Sequence, residues 1–187
     1  MHYNDHSELE GKHAFLSASK YHWVNYTPEK MAQVYSNYFA TEKGTILHDF
    51  ASRCIKLGQK LPRSKKTLNL FVNDAIGFRM RSEQVLYYSD NCFGTTDAIL
   101  YDEKTKLLRI HDLKTGVTPS SMLQLEIYAS LFFLEYGIDP QETSIELRIY
   151  QNNDIQIEKP DTTKVLYIIQ KIKDFDKIIS SIKKYEW

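Results

Sequence analysis

The middle of the chain contains two short stretches in which apolar and polar residues alternate. Residues 94–101 and 107–114 are rich in β-branched and large apolar side chains, and a charged run at 102–106 separates them. Side chains of a strand point alternately to its two faces. The pattern therefore predicts a β-hairpin with a short charged turn.

The register of this hairpin decides which side chains face each other. If a four-residue loop follows Asp102, this residue pairs with Leu107, and the same register places Asp97 opposite Asp112. Directly opposed Cβ atoms lie about 5 Å apart, and at an effective dielectric of about 20 two carboxylates at that distance repel by about 3 kcal/mol. A divalent cation, the ammonium of Lys114 or a shared proton would offset this repulsion.

The rest of the chain contains further periodic segments. Repeats of 3.6 residues predict helices at 28–38, 42–57, 68–78, 118–136 and 163–184, and alternation predicts strands at 79–88, 144–150 and 154–159. The helix after the hairpin has a clear start signal, with Thr118 as its N-cap and Pro119 in its first turn. Together these elements predict an α/β fold with a central mixed β-sheet flanked by helices, as in a restriction-endonuclease-like core.

Length and charge narrow the class of protein. With 187 residues, the chain is long enough for a sizeable core. We expect a single domain over residues 1–187, with a loose segment at 1–12, N-terminal helices at 13–58, a core at 79–158 and a C-terminal helix at 163–184. Lys plus Arg equals Asp plus Glu, at 24 each. Any surface that binds a nucleic acid must therefore be local.

Cysteine usage and hydropathy indicate the compartment. Cys54 and Cys92 are far apart and lack the paired spacing of metal ligands, which favours free thiols in a reducing environment. Apolar runs do not reach the length of a membrane span, and the first residues lack the basic and apolar regions of a signal peptide. We therefore expect a cytoplasmic protein without a membrane partner.

Several polar residues are candidates for a site. Gln124 and Tyr128 share one face of an otherwise apolar helix, where a buried amide must bond either the protein or a polar ligand. His48 lies beside the predicted apolar stripe of its own helix, so it is a surface residue, a hydrogen-bonded residue or a metal ligand. Glu83 lies within reach of the predicted carboxylate pair, or on the surface. The apolar stripe beside His48 consists of Ile46, Leu47, Phe50, Cys54 and Leu57.

Four short motifs occur along the chain in a characteristic order. They are Gly44-Thr45-x-x-His48 on a helix, Gly94-Thr95-Thr96-Asp97, Asp112-Leu113-Lys114 and Gln124-x-x-x-Tyr128. In order and spacing they resemble the PD-(D/E)XK nuclease superfamily, and within it the RecB-like exonucleases, which include CRISPR-associated and phage recombination exonucleases. The resemblance extends over residues 13–158. Residues 15–28 are also similar to the N-terminus of a phage-encoded branch of this group.

The resemblance implies a site for a divalent metal. Asp97 and Asp112 would hold Mg²⁺ or Mn²⁺, together with the backbone carbonyl of Leu113 and the imidazole of His48. Oxygen ligands suit both ions, and an imidazole moves the preference toward Mn²⁺. Asp112 stands where the family more often has Glu, and its shorter side chain has less reach.

The resemblance also implies roles for the other motif residues. Lys114 would orient or deprotonate the attacking water and offset charge in the transition state. Gln124 and Tyr128 would position the DNA backbone or brace the site, and Glu83 would lie outside the direct ligands. Many relatives hold an iron–sulfur cluster on four cysteines, which the two cysteines of this chain cannot supply, so no cluster is expected.

The implied function is a metal-dependent deoxyribonuclease that hydrolyses phosphodiester bonds in linear single- or double-stranded DNA. It would be an exonuclease of phage recombination or repair type, acting in the host cytoplasm if phage-encoded. Because the net charge is zero, a homo-oligomer or a recombination- or CRISPR-related protein partner could supply further DNA contacts. Two other interpretations stay open. The fold could serve as a DNA-binding or inhibitory module with little or no cleavage, or Asp97 and Asp112 could be solubilising charges on an edge strand.

Overall fold

The computed structural model describes residues 5–9, 11–12 and 14–185 and has the predicted α/β class, with a five-stranded mixed sheet flanked by helices. The helices are α1 (Pro28–Leu57), α2 (Thr67–Gly77), α3 (Leu123–Tyr136) and α4 (Thr162–Tyr185), and the strands are β1 (Arg81–Ser89), β2 (Cys92–Asp102), β3 (Leu107–Leu113), β4 (Ser144–Gln151) and β5 (Asp154–Glu158). Short 3₁₀ helices lie at Ser7–Leu9, Ala18–Asn25 and Pro140–Glu142. Within the described ranges, no helix is both long and apolar enough to cross a membrane.

The strands lie in the sheet in their chain order, from β1 to β5. Neighbouring strands are antiparallel, except that β3 and β4 are parallel. A parallel pair needs a long crossover, and α3 lies in that connection. The β2–β3 hairpin has the predicted register, with Asp102 opposite Leu107 and Ala98 opposite His111 around a four-residue turn.

Helices cover both faces of the sheet, and each face has its own apolar cluster. Leu86, Ile99, Ile110, Leu125, Leu131 and Val165 belong to the cluster under α3 and α4. Ala51, Cys54, Phe71, Val72, Ala98 and Leu113 belong to the cluster under α2 and the C-terminal half of α1. Full burial of a large aliphatic side chain is worth about 1.5–3 kcal/mol, so these clusters hold the helices on the sheet. Alternation along β3 then places Asp112 on the α3 face and His111 on the α2 face.

The chain divides into two compact units, residues 1–43 and 44–187. α1 crosses this boundary as one 30-residue helix, so the two helices predicted at 28–38 and 42–57 are a single element. The predicted single domain stays a prediction. Residues 1–4 and 10 of the segment predicted to be loose, and residue 13, the first of the predicted N-terminal helical range, lie outside the described residues.

α3 begins at Leu123, four residues after the predicted first position at Pro119. Gln151 Nε2 donates hydrogen bonds to the carbonyls of Gly116 (2.6 Å) and Thr118 (2.8 Å). These bonds hold the preceding segment as a bent loop. The predicted N-cap is therefore wrong, because contacts with the end of β4 override the local helix signal.

The C-terminal half of α1 buries a different face from the one that its large apolar residues predict. Ile46, Phe50 and Leu57 are exposed. The buried residues are mainly small: Gly44, Ala51, Ser52, Cys54 and Ile55. His48 follows Gly44 by one helical turn and is partly buried on this inward face. The predicted stripe is thus largely wrong, and its error moves His48 from beside the packing face onto it.

Candidate active site

The candidate site lies where β2 and β3 separate. Their backbone pairing ends at Ala98 and His111, one residue before the predicted pair of Asp97 and Asp112. Beyond this point the Asp97 side chain replaces the backbone as a partner, because its Oδ2 accepts a 2.7 Å hydrogen bond from the Leu113 N–H. The fork of the hairpin therefore carries both carboxylates that the register predicts.

Asp112 is the most enclosed ionisable group among the residues predicted for the site, with 3% of its surface exposed. Burial, and then repulsion from Asp97, raise the pKa of its carboxyl to about 6. Lys114 opposes this rise, since its Nζ donates a hydrogen bond to Oδ1 at 3.2 Å and lies 2.9 Å from Oδ2. The second contact lacks hydrogen-bond geometry, so within the described chain Oδ2 is buried with an ion pair but no hydrogen bond. An anionic oxygen in that position favours a further cation.

Lys114 connects β3 to α3 through the predicted amide and phenol. Its Nζ also donates to Gln124 Oε1 at 2.7 Å, and Gln124 Nε2 donates to the Tyr128 hydroxyl at 3.1 Å. Gln124 uses both ends of its amide within the chain although the residue is exposed, so the predicted burial of this amide is wrong. A continuous line of polar contacts runs from Asp112 to Tyr128, so the structure brings four predicted site residues together.

His48 reaches the same place from α1. Its Nδ1 lies 3.2 Å from Asp97 Oδ1, and this hydrogen bond raises the pKa of the imidazole against the opposing effect of burial. Burial and then Asp97 raise the pKa of the Glu83 carboxyl, whereas His48 lowers it. Glu83 also has a φ of +51° inside β1, a left-handed conformation that costs energy for a glutamate. The electrostatic effects of Asp97 and His48 therefore place Glu83 near the site.

Two glycines allow close contacts at the site. A Cβ at Gly94 would lie 2.9 Å from Tyr128 Cε1, and a Cβ at Gly44 would lie 2.9 Å from Thr115 Oγ1. Gly94 therefore leaves room for the Tyr128 ring, and Gly44 lets α1 approach the segment that follows β3. Their positions inside two of the motifs are the sequence signal that points to them.

The donor atoms suit a hard divalent cation, because oxygen and imidazole nitrogen are ligands of Mg²⁺ and Mn²⁺. His48 Nδ1 and Asp97 Oδ1, 3.2 Å apart, share a hydrogen bond, so an ion bound by both atoms would replace the shared proton. Asp112 Oδ2 is a buried oxygen without a hydrogen bond. Within the part of the chain that the structure describes, however, no group of three or more His, Cys, Asp or Glu side chains is arranged to hold a metal. The residue types fit the ion, and the complete ligand set with the Leu113 carbonyl stays a prediction.

A second polar cluster lies at the neighbouring residue of β3, on the α2 face. His111 is fully buried, its Nδ1 lies 3.2 Å from the Tyr150 hydroxyl, and that hydroxyl lies 2.8 Å from Asp74 Oδ2. Because a carboxylate only accepts, Tyr150 donates to Asp74 and the Nδ1–H of His111 donates to Tyr150. Burial, and then Arg148 and Arg109, lower the pKa of His111 to about 3. His111 is therefore neutral at pH 7.

The two arginines of this second cluster share one acceptor. Arg109 Nε and Arg148 Nε donate to Glu146 Oε1 at 3.0 and 3.1 Å. Their guanidinium carbons lie 4.6 and 4.8 Å from the centre of the Phe78 ring, within the range of a cation–π interaction. Each arginine has a carboxylate partner, which is typical of a structural network.

No protein-family model, curated protein or solved structure matches this chain. The interpretation of the site therefore depends on its geometry and on the four motifs. The arrangement holds an ammonium between a buried carboxylate and an amide, places a second carboxylate beside them, and carries a phenol on α3.

Proposed function

We propose that this chain is a metal-dependent deoxyribonuclease that cleaves linear DNA from an end, as an exonuclease of phage recombination or repair. The observation that carries the proposal is the buried pair of Asp112 and Lys114, 2.9 Å apart, beside a second carboxylate. A purely structural ion pair gains nothing from Asp97, because Asp97 disfavours the charged form of Asp112. A site that binds a cation does gain from it.

The residues that would hold Mg²⁺ or Mn²⁺ are His48, Asp97 and Asp112, with the backbone carbonyl of Leu113. When bound, the ion would polarise the phosphate and lower the pKa of a coordinated water. The chain itself orients the carboxylates. Asp97 is held through both oxygens, by His48 at 3.2 Å and by the Leu113 N–H at 2.7 Å.

In this proposal Lys114 acts on the attacking water or on the phosphate. Two of the three donors of its ammonium go to Asp112 and Gln124, which leaves one for a phosphate oxygen or the attacking water. Tyr128 accepts a hydrogen bond from Gln124, so its own O–H can donate to the DNA backbone. Glu83 lies outside the direct ligands and influences the site through its electrostatic interaction with Asp97 and His48.

A cytoplasmic location, in the host if the protein is phage-encoded, is part of the same proposal. Cys54 and Cys92 are both free thiols, which suits a reducing compartment. A second copy of the chain, or a recombination- or CRISPR-related protein, could add DNA contacts that the zero net charge does not supply.

The test is cleavage of end-labelled linear DNA, single- and double-stranded, with Mg²⁺, with Mn²⁺ and with EDTA. We expect cleavage only with metal, and a loss of more than about a hundredfold in Asp112→Ala and in Lys114→Ala. Lys106→Ala is the matched control, because Lys106 lies at the turn of the same hairpin and pairs with Glu142. It should cleave within about twofold of the parent protein.

Each part of the proposal can fail separately in this assay. If the parent protein shows no metal-dependent cleavage, it is not the proposed enzyme. If the parent and both site variants cleave equally, the activity lies elsewhere in the chain. A circular substrate of the same sequence has no end, so an exonuclease should leave it intact. Internal cleavage would degrade it.

A nuclease fold that binds DNA or inhibits a partner without cleavage is the second candidate. One observation favours it: both Asp97 oxygens already accept hydrogen bonds within the chain. Such a module predicts DNA binding in EDTA that survives Asp112→Ala, with no cleavage under any metal condition. Fluorescence anisotropy with labelled DNA, measured beside the cleavage assay, distinguishes the two.

A further inference from the structure

Residues 1–43 contain an open cavity with aromatic walls. Its volume is about 270 Å³, and Phe15, Trp23, Tyr26 and Tyr38 line it together with Lys20 and two small aliphatic side chains. None of the side chains described between residues 5 and 43 is fully buried. These rings therefore do not form a closed core, and much of their surface stays accessible to a ligand.

The rings are held in place before any ligand binds. Trp23 Nε1 donates to the Ser17 carbonyl at 2.9 Å, and the Tyr38 hydroxyl donates to Glu42 Oε1 at 2.7 Å. The Phe15 ring packs against Tyr38, with centroids 5.1 Å apart. The polar edges of Trp23 and Tyr38 are therefore bonded within the chain, and the cavity offers more apolar than polar surface. Rings that are already fixed lose little freedom when a flat ligand stacks on them.

Aromatic cavities attract flat ligands and cationic ligands, and the charge of Lys20 decides between these two classes. Lys20 is exposed and lines the cavity, and its positive charge would repel a quaternary ammonium ligand. A ligand that is both aromatic and anionic is favoured instead. A nucleotide has this combination, because its base stacks on aromatic rings and its phosphate attracts lysine.

We infer that this cavity binds a base of single-stranded DNA, stacked on Trp23 and Tyr38 with a phosphate near Lys20. The inference rests on the proposed function, which supplies DNA as the ligand, and it narrows the substrate to DNA with unpaired bases. Bases inside a duplex are stacked on one another and cannot enter the cavity unless they leave the helix.

Trp23 can report this binding itself. The chain has two tryptophans, Trp23 and Trp187, so Trp187→Phe leaves Trp23 as the single source of tryptophan fluorescence. In EDTA, we expect an oligothymidylate of about 12 nucleotides, within the site sizes known for single-strand binding, to quench this fluorescence. A blunt duplex of the same length should leave it unchanged at the same concentration.

Three variants in the Trp187→Phe background, one of them a control, locate the site. Tyr38→Leu should weaken the binding of the single strand about 5- to 150-fold, the range for one stacked base, while Phe39→Leu, at an exposed ring outside the cavity wall, should stay within about twofold. Lys20→Gln should reduce the slope of log affinity against log salt by about 0.7. Circular dichroism and thermal melting check the fold. Lys20→Gln changes an exposed side chain and decides the matter if Tyr38→Leu does not fold.

Four results would overturn the inference: no quenching by the single strand, equal quenching by the duplex, unchanged binding in the folded variants, or quenching by a proline-rich peptide in place of DNA. The outcome is distinguishable from that of the proposed function. Quenching without metal-dependent cleavage supports base binding in the cavity and contradicts the nuclease proposal. Cleavage without quenching supports the nuclease proposal and contradicts base binding in the cavity.

Discussion

Two polar clusters lie on opposite faces of β3, at adjacent residues, and they differ in how their charges are satisfied. Around His111, the Tyr150 hydroxyl joins the imidazole to Asp74. Around Asp112, a carboxylate faces a second carboxylate, and Lys114 satisfies only part of it. Among the described residues, each cluster has a buried atom without a hydrogen bond, His111 Nε2 and Asp112 Oδ2. The first belongs to a neutral ring, and the second to an anion.

The difference lies in the charge state that burial favours for each group. Burial moves both groups toward their neutral forms, so the pKa of His111 falls to about 3 and that of Asp112 rises to about 6. At pH 7 the neutral imidazole is in its preferred state. Asp112 is mostly ionised at that pH, against the preference of its surroundings, which is a common property of functional carboxylates.

Acid should have the largest effect, and it should act on the His111 cluster. Because burial lowers the pKa of His111 from 6.5 to about 3, its contribution to the free energy of unfolding is complete above pH 6.5 and is lost as the pH falls toward 3. The full loss is about 5 kcal/mol, since a tenfold change in proton affinity is worth about 1.4 kcal/mol. Between pH 7 and 4.5, urea unfolding in EDTA should show the parent losing about 2.5 kcal/mol more than His111→Gln.

His22→Gln is the control for this measurement, because His22 is an exposed histidine. It should lose stability in parallel with the parent protein. If His111→Gln loses as much stability between pH 7 and 4.5 as the parent protein, His111 does not stay neutral in the folded protein. The His111 cluster then does not differ from the Asp112 cluster in the way described.

The Asp112 cluster should respond to pH in the opposite direction. A folded pKa of about 6, above the ordinary 3.8, means that this group stabilises the fold only at low pH and that the contribution is lost as the pH rises through 6. At pH 8 in EDTA the ionised carboxylate costs up to about 3 kcal/mol. Asp112→Asn should therefore raise the free energy of unfolding by about 1–3 kcal/mol in urea while it abolishes cleavage.

Asp74→Asn is the matched change on the other face. It should lower the free energy of unfolding by about 1–2 kcal/mol, because Tyr150 and Arg148 lose a charged acceptor. Its cleavage rate should stay within about threefold of the parent. If Asp112→Asn destabilises the metal-free protein as Asp74→Asn does, both clusters are structural and the conflict at Asp112 is not present.

Two tyrosines extend the comparison to uncharged groups. Tyr150→Phe should cost about 1–3 kcal/mol of unfolding free energy, since Asp74 and His111 lose a shared buried partner, and should change cleavage by less than about twofold. Tyr128→Phe should leave stability within about 0.5 kcal/mol and lower cleavage about five- to tenfold, the effect of one lost hydrogen bond. Urea unfolding measures the stability of both variants, and initial cleavage rates measure their activity. If Tyr150→Phe lowers cleavage and Tyr128→Phe lowers stability instead, the two faces have the opposite roles.

The hairpin at the site could be predicted from the sequence because its signals are local. A charged turn and the alternation beside it set the register, and the register brings Asp97 and Asp112 to the same place. The packing face of α1 could not be predicted in this way. Its inward residues, such as Gly44 and Ala51, are small and allow close approach to the rest of the fold. Because hydrophobicity does not reveal this property, the large apolar residues indicated the wrong face for His48.

The remaining errors come from contacts that are distant along the chain. The start of α3 depends on Gln151, which lies beyond the helix that it delays. The second cluster joins His111 to Asp74 and Tyr150, on three different elements, and no short motif relates their positions. Such networks become visible only when the sheet order is known.

The smallest expected effect tests whether the α3 side of the site depends on the fit of one ring. A methyl group at Gly94 would lie 2.9 Å from Tyr128 Cε1, so Gly94→Ala should displace the ring and lower cleavage about two- to fivefold, with less than about 1 kcal/mol lost in stability. In a Tyr128→Leu background the same change should have no further effect, because it acts through the ring. If the losses add instead, Gly94 acts through the β2 backbone that leads to Asp97, and the two carboxylates rather than the phenol set the geometry of this face.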